Sequence, residues 1–125
     1  QFEELTGVSS LAVAIGTAHG FYVGEPVLDK ERVAEIAAKV KAPLVLHGAS
    51  GLSESDVREC VSKGMCKVNF ATELRVAYTD AVKKLLAEAP KTYDPKKLGL
   101  AAMEAVKEQV IARMKMCGCV GKAFV

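Results

Sequence analysis

The chain has almost no excess of charge of either sign: 17 lysines and arginines stand against 15 aspartates and glutamates, a net charge of +2. A balance this even gives no electrostatic case for nucleic acid or another polyanion as a partner. Long apolar runs are missing too. No stretch approaches the ~20 residues that a membrane-crossing helix needs, and the opening segment carries Glu3 and Glu4 where a signal peptide would carry basic residues. A globular, cytoplasmic protein with no membrane partner is therefore expected, and the composition, 50% hydrophobic and 26% charged, fits that class. Cysteine is sparse. Cys60, Cys66, Cys117 and Cys119 form no CxxC pair and lack the density of a secreted scaffold, so reduced thiols are expected. Cys60 and Cys66 fall where small buried hydrophobes would serve, and the single residue between Cys117 and Cys119 is too tight for ordinary zinc ligation. The lysine pairs Lys83-Lys84 and Lys96-Lys97 read as solvated helix faces.

Histidine is scarcer still, and its placement is informative. The two in the chain, His19 and His47, are each followed by glycine and each close a short apolar run, LAVAIGTAHG and PLVLHGASG. A third run, CKVNFAT, ends on Asn69 and Thr72 instead. Leu11–Ile15 and Leu44–Leu46 are uninterrupted and bounded by Gly or Pro, which predicts strands of a parallel sheet buried on both faces. Between and after them lie helical faces, one formed by Val33, Ile36, Ala37 and Val40, another by Leu74, Ala77, Tyr78, Ala81 and Leu85. Ser53 with Asp56 forms a capping box for a helix running to about Lys63, where Gly64 supplies a left-handed stop. Asp94-Pro95 opens a last helix whose buried stripe is expected at Met103, Val106, Val110 and Met114.

Strand, helix, strand, helix, strand, helix, helix is the order of an α/β protein with a parallel sheet. Three strands leave costly edges and uncovered faces. Together with a start at Gln1 rather than methionine, this predicts a portion of a larger closed barrel, with further chain upstream.

In such sheets the chemistry sits where strands release into loops. A histidine at one strand end is ordinarily a hydrogen-bonded structural residue. Two of them one strand–helix–strand step apart can converge, because adjacent strands lie ~4.8 Å apart, and both rings can then reach one ion. A catalytic zinc site takes three protein ligands, so at least one more must come from elsewhere. GASGLS and NFAT each put small or hydroxylated residues just before a helix, where free N–H groups and the helix dipole favour a phosphate. The plainer alternative is that Ser53 and Thr72 only cap helices and the glycines only turn the chain.

AVAIGTAHG, PLVLHGASGL and KVNFATELR, in this order and spacing, closely resemble the C-terminal part of the class II, zinc-dependent ketose-bisphosphate aldolases, most of all the tagatose-bisphosphate type. The likeness runs from about Leu11 to Leu85 and is looser through the last helix. It implies that residues 1–125 are about strands six to eight, with their helices, of a single (β/α)8 barrel domain. It also implies reversible aldol cleavage of a ketose 1,6-bisphosphate to dihydroxyacetone phosphate and glyceraldehyde 3-phosphate, with zinc as Lewis acid and no Schiff-base lysine. By the same resemblance His19 and His47 are two zinc ligands, and Gly20, Gly48, Ala49, Ser50, Asn69, Phe70, Ala71 and Thr72 hold the phosphorylated substrate. Alanine at position 71 leans toward the tagatose group. Family members often bind a monovalent cation near the phosphate and are usually dimers or tetramers. The remaining zinc ligand and the acid/base carboxylates have no counterpart here, so no catalytic residue is assigned in this chain, and the chain alone is expected to be inactive. The alternative class is a non-catalytic barrel fragment that serves as an interaction or scaffolding module.

Overall fold

The computed structural model describes residues 1–20 and 22–123. In chain order the elements are α1 (Phe2–Thr6), β1 (Leu11–Ala12), α2 (Lys30–Ala37), β2 (Leu44–Leu46), α3 (Glu54–Ser62), β3 (Met65–Val68), α4 (Thr72–Glu88) and α5 (Pro95–Met116). They form two compact units, Gln1–Phe70 and Ala71–Val125. Among the described residues no helix is long and apolar enough to cross a membrane.

The first unit is a parallel sheet in the order β1-β2-β3. Leu44, Val45 and Leu46 of the central strand are all buried, as an aliphatic run flanked on both sides requires. The first strand departs from the expected burial on both faces. Only Leu11 and Ala12 of the first run join the ladder, because the chain then turns to a different partner: the Ile15 carbonyl accepts from the Asp29 N–H at 2.9 Å. Gly16 permits the turn, with φ at 104° and the Val27 carbonyl lying where a side chain would stand. In β3 the pairing shifts, Leu44 opposite Met65 but Val45 opposite Lys67. Cys66 is the residue skipped, and it is exposed, contrary to the packing role expected of it. Cys60, on α3, is fully buried, and burial pushes its thiol pKa up.

The helices of this unit begin where their caps dictate. Ser53 accepts from the Asp56 N–H at 3.1 Å and donates to the Asp56 carboxylate at 2.6 Å, and Gly64 (φ 118°) follows the end of α3. Asp29 caps α2 by accepting from the Arg32 N–H. A polar bridge then joins the two helices. The Lys30 ammonium lies 2.7 Å from both Asp56 and Glu59, and Lys63 lies 2.6 Å from Glu31. The Lys30 ammonium and the Ser53 hydroxyl hold Asp56 below the usual carboxylate range, and the two carboxylates raise Lys30 in turn. Val33 of α2 and Val57 and Cys60 of α3 are fully buried. Glu3 of α1 accepts from the N–H groups of Lys41 and Ala42 at 2.7–3.1 Å, which fastens the short first helix to the entry of β2.

The second unit is a helical pair, α4 packed against α5. Asp94 caps α5 by accepting from the Lys96 N–H at 2.9 Å, with Pro95 in the first turn. The buried stripe of α5 differs from the expected one: Met103 is 65% exposed, Val110 39% and Met114 45%, whereas Ala102 is fully buried. The less exposed face runs Ala102, Val106, Gln109, Arg113. Arg113 decides the rotation, because its guanidinium meets the Glu73 carboxylate of α4 at 3.2 Å, with both side chains largely covered. An ion pair of this kind must face the partner helix, and the methionines turn outward.

Candidate metal and phosphate site

Both histidines lie at the carboxyl end of the sheet of the first unit, one beyond β1 and one directly after β2. What brings them together is backbone. Gly48 sits at φ 70°, and a Cβ there would stand 2.5 Å from the Ala18 carbonyl oxygen. The lack of a side chain at 48 is therefore what lets the turn before His19 settle on the turn after His47. Tyr22 adds a second tie. Its hydroxyl accepts from the Ala18 N–H at 3.0 Å and donates to the Gly48 carbonyl at 2.8 Å.

The outcome is a close meeting of the rings. His19 Nε2 and His47 Nδ1 are 2.6 Å apart, with ring centroids 4.6 Å apart and planes nearly perpendicular at 88°. At that spacing one nitrogen carries a proton and the other receives it. Two imidazoles on one tetrahedral zinc, at ~2.0–2.1 Å each, would hold their nitrogens ~3.3 Å apart. The rings need part by less than about 1 Å to admit an ion, and both are exposed, so the donor pair fits zinc chemistry. Among the described residues no cluster of three or more histidines, cysteines and carboxylates is present. Beside the pair opens a cleft of about 210 Å³, walled by Ala14, Thr17, Ala18, His19, His47 and Gly48.

The other residues expected at a phosphate are distributed as follows. Gly20 adopts φ 87° with open space where a side chain would project. Ala49 is fully buried, and its N–H donates to the Asn69 carbonyl at 3.2 Å; the Asn69 N–H in turn reaches the Leu46 carbonyl at 3.0 Å. Ser50 is buried and Phe70 half-buried. The Asn69 side chain accepts from the Lys67 ammonium at 2.6 Å, which gives this strand end a cation that sequence reasoning did not single out. In the second unit, Ala71 occupies the N-cap position of α4 and Thr72 opens the helix. Alanine has no side-chain oxygen with which to cap, so the plain capping explanation holds for Ser53 and fails at the start of α4. Tyr22 was missed for a similar reason: a lone loop tyrosine carries no periodicity or motif, and its role shows only when two turns meet.

The family model for class-II fructose-bisphosphate aldolase matches residues 1–122. The chain belongs to that family. Among solved structures it is similar to the YdjI aldolase from Escherichia coli K12, with 40% identity and a TM-score of 0.81 over 98% of this chain and 43% of that one. A protein from Coccidioides immitis assigned as a fructose-1,6-biphosphate aldolase matches with 30% identity and a TM-score of 0.80, over 96% of this chain and 42% of its own. Fructose-bisphosphate aldolase from Campylobacter jejuni, at 22% identity, shares the fold, with a TM-score of 0.80 over 97% of this chain and 44% of its own. The chain thus spans less than half the length of these relatives, and its α/β architecture is that of part of their (β/α)8 barrel.

Proposed function

We propose that this chain supplies two zinc ligands, His19 and His47, and much of the phosphate-holding loop structure of a class II ketose-bisphosphate aldolase. The observation that carries the reading is the approach of His19 Nε2 and His47 Nδ1 to 2.6 Å beside an open cleft, in a chain of the class-II family. Zinc bound there would supply Lewis-acid polarisation of the substrate ketone, chemistry that needs no lysine nucleophile. The chain's own groups bind and orient. Gly20 leaves backbone accessible, with open space where a side chain would project, whereas the bare Gly48 seats the Ala18 turn, and Ser50 and Asn69 lie on the two loops that follow β2 and β3. Lys67 holds the Asn69 amide and adds positive charge where a phosphoryl group would arrive.

On this reading the segment is the C-terminal part of the barrel, and the third zinc ligand and the groups that move protons come from outside these 125 residues. The 125-residue chain alone is then inactive. Substrate is a ketose 1,6-bisphosphate, tagatose ahead of fructose on the alanine at 71, and the whole enzyme is a dimer or tetramer. The test is His47→Ala in the whole enzyme, assayed for triose phosphate release from both ketose bisphosphates with zinc content measured in parallel. Loss of zinc together with at least a ~10³-fold loss of cleavage is expected; near-normal cleavage refutes the reading.

A further inference from the structure

Tyr22 stands outside the set of residues the aldolase reading uses, yet it touches both histidine-bearing turns at once. Its hydroxyl accepts from the N–H of Ala18, the residue before His19, and donates to the carbonyl of Gly48, the residue after His47. Its ring edge lies 3.3 Å from where a Cβ on Gly51 would stand, so the tyrosine is also braced against the turn that follows β2. The hydroxyl proton is committed to a backbone carbonyl, which leaves Tyr22 no proton to deliver to a substrate. Its position suits a different task. Among the described residues the histidine turns meet through Gly48 against Ala18, the ring pair and this hydroxyl, while β1 offers two residues to the ladder.

We propose that Tyr22 is a positioning residue that clamps the His19 and His47 turns close enough for both rings to reach a single divalent ion. The metal half of this inference rests on the aldolase reading; the clamp half does not. A phenylalanine at 22 would keep the ring against Gly51 and leave both the Ala18 N–H and the Gly48 carbonyl without their shared partner. The rings would then be free to drift apart, and an incoming ion would have to gather them.

The experiment compares the whole wild-type enzyme with its Tyr22→Phe variant by NMR, first metal-free and then during titration with Zn²⁺ alone. In the metal-free protein, ring-to-ring NOEs between His19 and His47 are expected in wild type and lost in the variant, while methyl signals of the buried Val33, Leu44 and Val57 stay in place. With zinc, the variant's dissociation constant is expected to rise about tenfold, the lower end of what removal of an outer-shell partner costs a metal site. Ring contacts that survive the substitution, or equal zinc affinity in the two proteins, overturn the assignment. So do core methyls that move as much as the histidine signals, since that would make Tyr22 a packing residue. Failure of wild type to bind zinc while its ring contacts depend on the hydroxyl sinks the metal reading and leaves the clamp standing.

Discussion

Alanine substitutions at Gly48 and Gly20 separate two costs that usually come together. Both glycines have positive φ, 70° and 87° respectively, so alanine at either site carries the left-handed penalty of roughly 1–2 kcal/mol. The space around them differs. A Cβ at 20 meets nothing within 4 Å, whereas a Cβ at 48 lies 2.5 Å from the Ala18 carbonyl oxygen and 3.1 Å from its carbon. These neighbours are backbone atoms, and relief requires the whole turn before His19 to retreat, at an overpacking cost of about 1–3 kcal/mol. Gly20→Ala is therefore expected to destabilise by ~1–2 kcal/mol and Gly48→Ala by ~2–5 kcal/mol, read from urea midpoints at unchanged slope. Zinc affinity should fall for Gly48→Ala beyond what its stability loss explains, since the retreat takes His19 with it. Equal destabilisation by the two substitutions would refute the argument that close backbone approach seats the histidines.

Two further outcomes follow from the ion pairs. Arg113→Met leaves the Glu73 carboxylate largely covered and without the guanidinium, at an expected cost of roughly 1–3 kcal/mol, and adding Glu73→Leu should recover most of it; a double variant as unstable as the single one would contradict this. Asp56 titrates below its ordinary range because of Lys30, so its contribution is fully present above about pH 4 and fades as pH falls through the lower folded-state value. Lys30→Met should therefore be less stable than wild type at neutral pH, with the gap narrowing on acidification toward about pH 2; a gap that stays constant across that range removes the pair from the account.

How much of this was legible in the sequence depends on whether local chemistry or tertiary contact decided the outcome. Ser53, Asp94-Pro95 and Gly64 act within a few residues of themselves, and the helices they bound lie where those residues indicated. The aliphatic run of β2 is buried throughout, as its pattern required. The extent of β1 was not readable, because Ile15 turns to Asp29 rather than to the sheet, a partner that no run of hydrophobics encodes. Nor was the rotation of α5, where Arg113 and Glu73 override the apolar period that favoured Met103, Val110 and Met114. At the site, the meeting of His19 and His47 was foreseeable from two strand ends one crossover apart. Tyr22 and Lys67 act through tertiary hydrogen bonds and carry no sequence signature.

The brevity of the first ladder has a consequence for alignment between strands. Only Leu11 opposite Leu44 and Ala12 opposite Val45 fix how β1 lies along β2, and slippage by one residue, ~3.3 Å along the strand, would turn every side chain to the opposite face. The imidazoles sit in the loops that follow these two strands, so whatever joins them, a shared proton or a divalent ion, adds a tie between the two segments beyond the end of the ladder. Occupancy by a ligand is then coupled to strand alignment, and loading the site should slow amide exchange at Leu11, whose N–H donates to the Pro43 carbonyl at 3.0 Å.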